Sequence, residues 1–317
     1  MWQKRQTELL REEIEQLLVT LSDVEGLRDL TREALTQGRR GLGAEVAHGK
    51  PWSLLSLIVC EAISGSYKQA LPTAAALQLL MAAGDVFDDI EDADSSESLP
   101  ARYGPAIATN VATTLLSLAE KSITRLKDRG IADSVIVRVT EITNSFFMSA
   151  CAGQHLDLSL SSEAAISEDD YLRVAGLKSA SQVECACHIG ALLAKASQEL
   201  VDILARFGHN LGMAAQITND IRGVTRGSDI PEHKMTLPVI YALTQAEGES
   251  RHQLELAFRK PFESVADPAQ IRDLLFRTGA IHFATVKMES YKQLAQDNLS
   301  EIERHGASVE RLKSLLE

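Results

Sequence analysis

Six acidic residues lie within ten positions of the segment GDVFDDIEDADSS, residues 84–96, directly after the apolar run ALQLLMAA. If this segment is helical, Asp88 and Asp92 point to one side, and Asp89 lies roughly 100° around the axis. Like charges at this spacing repel, and near the C-terminal end of a helix they oppose the helix dipole. A shared Mg²⁺ ion removes the repulsion, because Mg²⁺ binds carboxylates and completes its shell with water and phosphate. The alternative is a solvated acidic helix end, but the apolar residues before it favour a metal site.

A second polar group interrupts the apolar segment LGMAAQITNDI. Gln216, Asn219 and Asp220 fall on adjacent faces of this segment when it is helical. Asp229 and Lys234 follow in the next loop. Amide and carboxylate oxygens are suitable Mg²⁺ ligands. The second polar group favours a metal site over a solvated acidic helix end at the first.

The elements that position these residues are predicted to be helices. Apolar residues recur at three and four positions along the chain, and strand-like alternation is almost absent. One apolar stripe consists of Leu10, Ile14, Leu17, Leu18 and Leu21. Several of the eight prolines stand where a helix would start or stop. These patterns predict an all-α fold of about ten helices.

Composition narrows the class of protein. The chain has 317 residues, of which 45% are apolar, and can bury a substantial core as one large domain or two smaller ones. The formal net charge of −12 repels nucleic acid and anionic membranes. Neither is therefore expected as a partner.

The cysteines and the N-terminal sequence bear on location. The cysteines form no CxxC pair and lie in apolar or helical surroundings, which predicts reduced thiols in a cytoplasmic protein and no metal binding by them. They are Cys60, Cys151, Cys185 and Cys187. The N-terminus alternates charged residues with leucine, and no run approaches the roughly 18 apolar residues of a membrane span. We therefore expect no membrane span.

The order and spacing of the polar motifs resemble those of the trans-prenyltransferase, or polyprenyl synthetase, family over roughly residues 45–245. The family's DDxxD motif matches Asp88, Asp89 and Asp92, and its QxxDDxxD motif is matched in part by Gln216, Asn219 and Asp220. The other matches are GK at Gly49 and Lys50; GQxxD at Gly153, Gln154 and Asp157; the lysine of a Lys-Thr pair at Lys178; and D-x(4)-K-x-T-L-P at Asp229, Lys234, Thr236, Leu237 and Pro238.

This resemblance implies a bundle of about ten or more helices around a deep central cavity. It also implies a single domain over residues 1–317 and a homodimer. The implied metal ligands, for about three Mg²⁺ ions together with the diphosphate of a prenyl substrate, are Asp88, Asp89, Asp92, Asn219 and Asp220. The implied catalytic residues are Lys178, Gln216 and Lys234. The implied substrate-binding residues are Lys50, Ala83, Gly84, Phe147, Gln154, Asp157, Lys178 and Lys234.

Other positions depart from the family pattern. Ser53 stands where an arginine is expected, and Met81 stands where His or Gln is expected. The usual Arg-Arg-Gly after DDxxD is absent, with Arg102 alone nearby. Each charge-assisted contact to phosphate contributes on the order of 1.5–3 kcal/mol, so their joint loss weakens binding of isopentenyl diphosphate. Asn219 and Gly223 replace acidic residues of the second motif, a pattern similar to ComQ-type isoprenyl transferases, and the Asn-Asp start is similar to class I terpene cyclases.

These residues leave three functions open. The favoured one is a Mg²⁺-dependent enzyme that ionises an allylic diphosphate with a farnesyl or geranylgeranyl tail and transfers or rearranges the cation without isopentenyl diphosphate. In a ComQ-like version, the acceptor is a peptide. The first alternative is a short-chain polyprenyl diphosphate synthase that condenses isopentenyl diphosphate with the allylic substrate. The second alternative is a non-catalytic subunit of a heteromeric synthase.

Overall fold

A computed structural model describes residues 2–21, 24–37, 52–92, 96–160, 166–258 and 267–317. Within these ranges the chain is helical and contains no strand, which confirms the predicted all-α fold. The α-helices are α1 Trp2–Leu18, α2 Glu25–Gln37, α3 Leu55–Ser64, α4 Leu71–Asp92, α5 Leu99–Tyr103, α6 Pro105–Thr124, α7 Asp133–Leu160, α8 Glu168–Ala175, α9 Ser181–Leu193, α10 Gln198–Arg226, α11 Leu237–Gln245, α12 Gly248–Phe258, α13 Pro268–Arg277, α14 Ala280–Arg304 and α15 Glu310–Lys313. A π-helical turn covers Gly176–Ala180, and short 3-10 helices cover Val19–Leu21, Trp52–Leu54, Lys68–Ala70 and Arg125–Arg129.

The chain packs as two compact units. Unit 1 comprises Met1–Asn144, Cys185–Leu204 and Ile302–Leu315. Unit 2 comprises Ser145–Glu184, Ala205–Glu301 and Leu316–Glu317. The assignment of residues 1–317 to a single domain stays a prediction.

In unit 1, α4 packs against α6. The buried Ser122 hydroxyl of α6 donates a 2.7 Å hydrogen bond to the Pro72 carbonyl, at the start of α4. Proline is accepted there because the first turn of a helix has no partner for its missing N–H. The α1 stripe is confirmed, since Leu10, Ile14, Leu17 and Leu18 are buried and Leu21 is half-buried.

One helical stretch of the described chain, Lys68–Glu91, is long and apolar enough to cross a membrane by composition. Its best 18-residue window has a mean hydropathy of 1.4, and 83% of that window is buried by protein. A core helix of a water-soluble fold has the same properties, so length and composition are weak evidence for a span. The acidic residues Asp88 and Asp89 follow at the C-terminal end of the same helix.

The four cysteines differ in accessibility, and none forms a disulfide. Cys60, Cys185 and Cys187 are buried, and Cys151 is exposed. Burial raises the pKa of the Cys60 thiol to about 11, which suppresses its reactive thiolate form.

We predict that a thiol reagent such as DTNB labels Cys151 rapidly in the native protein at neutral pH and leaves the three buried thiols unreacted. Cys151→Ser should abolish the rapid phase, and all four thiols of the wild type should react in denaturant. The absorbance of the released thiolate gives the number of thiols that react in the native protein and the number that react in denaturant. Rapid native labelling that persists in Cys151→Ser would contradict the buried positions of the other three.

Candidate active site

The first acidic motif lies at the end of α4 in unit 1. Asp88 and Asp89 are half-buried, and Glu91 beside them is exposed. The backbone of Asp92 ends the helix, but its side chain lies outside the described set. A half-buried pair of carboxylates offers hard oxygen ligands to a divalent cation. Lys50, predicted to bind substrate, also lies outside the described residues.

The second motif, in unit 2, is built around a buried carboxylate. Asp220 on α10 is 5% exposed. Its oxygens accept hydrogen bonds from the Tyr171 hydroxyl at 2.6 Å and from the Gln216 side-chain amide at 2.8 Å. The backbone N–H of Leu237, at the start of α11, is a third donor. These donors come from α8, α10 and α11 and hold one side chain in one orientation.

The environment of Asp220 is largely apolar. Tyr171, Met213, Ile217 and Leu237 belong to one buried cluster around it. Burial raises the pKa of Asp220 to about 7, against the opposing effect of its hydrogen-bond donors. Because a carboxylate has about four acceptor positions, three donors leave room for a further ligand. A cation there would stabilise the ionised form.

Gln216 links Asp220 to the neighbouring turn. Its amide group donates to Asp220, and its carbonyl oxygen accepts a 2.8 Å hydrogen bond from the Ser179 hydroxyl. Both ends of the Gln216 side chain are therefore engaged within unit 2. The predicted catalytic role of Gln216 stays a prediction, and in the structure its side chain contacts Asp220 and Ser179. Asn219, the preceding predicted metal ligand, is exposed on the same helix.

The predicted residues Asp157 and Lys178 meet in unit 2. The Lys178 ammonium lies 3.1 Å from an Asp157 carboxylate oxygen. Lys178 stands in the π-helical turn Gly176–Ala180, a type of distortion often found at functional sites. A Cβ atom at Gly153, one turn before Asp157, would lie 2.5 Å from the Lys178 backbone nitrogen. Glycine at this position is what lets α7 approach the turn closely enough for the ion pair.

Lys234 lies in the loop before α11. Its ammonium pairs with the Glu232 carboxylate at 2.5 Å. Burial raises the pKa of Asp229, and the positive charge of Lys234 opposes that rise, so the two side chains interact electrostatically. The repulsive charge of Asp229 in turn raises the pKa of Asp220. Asp220, Asp229 and Lys234 thus form one electrostatic group in unit 2.

The remaining predicted residues differ in burial. In unit 1, Ala83 is completely buried and Gly84 is half-buried. In unit 2, Phe147 and Gln154 are half-buried. Their predicted role in substrate binding stays a prediction. A surface groove of about 380 Å³ in unit 1 includes Thr20, Asn110 and Lys121 and none of the predicted site residues.

The donor chemistry of both motifs fits Mg²⁺. Among the described residues, no three His, Cys, Asp or Glu side chains are grouped to hold a metal by themselves. Mg²⁺ in enzymes typically takes about one or two carboxylates, with water and substrate phosphates as its other ligands. Asp88 and Asp89 in unit 1, and Asp220 with Asn219 in unit 2, meet that requirement.

Comparison with known proteins establishes the family. The polyprenyl synthetase model matches residues 45–275, so the chain belongs to the polyprenyl synthetase family. The geranylgeranyl diphosphate synthase of Mycobacterium tuberculosis is 29% identical over 222 residues, covering 66% of this chain and 62% of that protein. The short chain isoprenyl diphosphate synthase of Methanothermobacter thermautotrophicus is 26% identical over 297 residues, 89% of each chain. The tryptophan prenyltransferase ComQ of Bacillus subtilis is 26% identical over 246 residues, covering 76% of this chain and 78% of that protein.

A solved structure supports the fold. The crystal structure of a polyprenyl synthetase from Streptomyces coelicolor A3(2) has a TM-score of 0.83 at 21% identity and covers 99% of this chain and 96% of that chain. These findings confirm the predicted family resemblance, the helical fold and the assignment to the prenyltransferase enzymes. Further geranylgeranyl diphosphate synthases are similar to this chain at 25–28% identity.

Two partners of the second motif were missed at the sequence level. Tyr171 is 49 residues before Asp220, and Ser179 is 37 residues before Gln216. One sequence pattern could have pointed to Tyr171 as a site residue. It lies two helical turns before Lys178, so both residues fall on one side of a helix. That spacing alone does not indicate which carboxylate the tyrosine contacts.

We predict that Gly153→Ala destabilises the protein by about 1–3 kcal/mol, because the added methyl group overlaps the backbone of the Lys178 turn. Gly26→Ala is the matched control, since a Cβ at Gly26 would have no neighbour within 4 Å. Alanine there should be neutral or stabilising by up to about 1 kcal/mol. Denaturant unfolding measures both changes, and equal stabilities of the two variants would contradict the close approach at Gly153.

Proposed function

We propose that this protein is a Mg²⁺-dependent prenyltransferase that ionises an allylic prenyl diphosphate and joins the prenyl group to isopentenyl diphosphate. The departures from the family motifs favoured transfer without isopentenyl diphosphate, whereas the similarity to diphosphate synthases supports its use. The carrying observation is the buried Asp220 with its three donors, set in a chain whose relatives are mostly prenyl diphosphate synthases. A carboxylate held this firmly in an apolar site is suited to binding a cation that grips a diphosphate.

The residues divide the chemistry among them. Asp88 and Asp89, and Asp220 with Asn219, would hold Mg²⁺, which would neutralise the charge that develops on the leaving diphosphate. Lys178 adds a positive charge that Asp157 keeps in place through their 3.1 Å ion pair. Tyr171 and Gln216 orient Asp220. Buried apolar residues of α4, such as Leu79 and Ala83, would keep water from an allylic cation.

A second candidate function is prenyl transfer to an acceptor other than isopentenyl diphosphate, as the name of the tryptophan prenyltransferase ComQ suggests for that relative. The favouring observations lie in unit 1. The Arg102 guanidinium pairs with the Glu33 carboxylate, and Ser53 and Met81 are buried where cationic or polar side chains are expected from the family pattern. A second diphosphate would therefore lack several of its usual partners.

Product analysis separates the two candidates. The protein would be incubated with geranyl, farnesyl or geranylgeranyl diphosphate and Mg²⁺, with and without isopentenyl diphosphate. We expect products one isoprene unit longer, formed only when isopentenyl diphosphate is present. Release of diphosphate without a longer product would support the second candidate. Absence of both products and diphosphate release would support the non-catalytic subunit.

We further predict that Asp88→Ala and Asp220→Ala each lower turnover by at least about a hundredfold, since electrostatic stabilisation of a leaving group typically contributes a few kcal/mol. Glu91→Ala is the matched control, because this neighbouring carboxylate is exposed and belongs to none of the predicted ligand sets. EDTA should abolish wild-type activity. Full turnover in either folded aspartate variant, or in EDTA, would refute the metal-dependent mechanism.

A further inference from the structure

The second motif lacks an acidic side chain at its last position, where the chain has Gly223. Gly223 is three residues after Asp220 and four after Asn219 on α10, so the three positions share one side of the helix. A side chain at this position would therefore lie beside the predicted metal ligands. The space next to Gly223 is nevertheless filled in unit 2, because a Cβ built there would overlap the carboxylate of Asp229.

The turn that ends α10 brings Asp229 back over Gly223. Gly227 has a φ of +82°, a left-handed conformation that residues other than glycine adopt rarely. The N–H groups of Gly227 and Ser228 donate to the Gly223 carbonyl at 2.9 and 3.0 Å. This closed turn reverses the chain, and Asp229 follows it directly. The carboxylate reaches the helix face because Gly223 has no side chain in its way.

The turn also holds Asp229 in place. The Ser228 hydroxyl donates to an Asp229 carboxylate oxygen at 3.2 Å, and the Lys234 N–H donates to the Asp229 backbone carbonyl at 3.1 Å. Asp229 is half-buried. Hydrogen bonds to both its side chain and its backbone therefore hold the Asp229 carboxylate in position.

We propose that the Asp229 carboxylate takes the place of the missing last acidic side chain of the second motif and helps to bind the divalent cation held by Asn219 and Asp220. Asp229 belongs to the family's own loop motif, and the missing side chain at Gly223 lets its carboxylate supply the oxygen ligand that the helix lacks. This inference rests on the proposed function, since it concerns the metal of that same site.

The test measures cation binding without catalysis. Isothermal titration calorimetry would follow binding of Mg²⁺ in the presence of inorganic diphosphate to the full-length protein. Asp229→Asn keeps the shape of the side chain and removes its charge, so Mg²⁺ affinity should fall by at least about tenfold. The double variant Gly223→Asp/Asp229→Ala returns the carboxylate to the helix, and its affinity should recover to within a few-fold of wild type. A purely structural role of Asp229 would not produce this recovery.

Two further variants sharpen the test. Gly223→Ala should weaken Mg²⁺ binding as Asp229→Asn does, because its methyl group displaces the Asp229 carboxylate. Asp273→Asn, which removes an exposed carboxylate of α13 that pairs with Arg277, is the matched control and should bind like wild type. Circular dichroism would establish that each variant is folded.

The outcomes are distinguishable. Wild-type binding together with unchanged affinity in Asp229→Asn would overturn the inference and leave the proposed function standing. If Asp229→Asn weakens Mg²⁺ binding and the double variant does not restore it, the inference that Asp229 substitutes for the missing acidic side chain would also be overturned. No saturable binding of Mg²⁺ and diphosphate by the wild type would overturn both the inference and the metal-dependent function.

Discussion

Asp220 is a carboxylate with 5% exposure in an apolar cluster, and much of the architecture of unit 2 follows from how that charge is accommodated. Removing a carboxylate from water costs several kcal/mol unless donors compensate. The compensation comes from a tyrosine of α8, a glutamine one turn earlier on α10 and the first N–H of α11. The N-terminal end of a helix also favours negative charge. Relative movement of any of these elements would leave the carboxylate underpaired.

Small residues make this arrangement possible. The π-helical turn that carries Lys178 and Ser179 is approached by Gly153 of α7 and by Gly212 of α10, where a Cβ would lie 2.6 Å from the Ala180 Cα. The close approach brings Lys178 to Asp157 and Ser179 to Gln216. Glycine thus serves here through its lack of volume, and helix propensity is secondary to packing.

The chain departs from the family pattern in the second motif and at positions of unit 1 outside the first motif. In unit 2, polar contacts surround the carboxylate of the second motif despite the changes at Asn219 and Gly223. In unit 1, the positions associated with a second diphosphate are altered, and Arg102 is paired with Glu33. Under the proposed function, the residues for ionising the allylic substrate are therefore better preserved than those for binding isopentenyl diphosphate. The relatives include both diphosphate synthases and the tryptophan prenyltransferase ComQ.

Periodicity was sufficient to predict the all-α fold, the buried face of α1 and the prolines at the starts of α4, α6 and α11. Motif spacing also named Asp88, Asp89 and Asp220 as metal ligands, which stays a prediction. These features depend on neighbours within one or two helical turns. Tertiary structure alone decided that Tyr171 contacts Asp220 across 49 residues of sequence, that Arg125 and Arg129 pair with the buried Glu13 of α1, and that Asp229 occupies the space beside Gly223. Such contacts depend on how separate helices and turns approach each other. Helical periodicity specifies which face of a helix is buried, but it does not specify which residues of other elements contact that face.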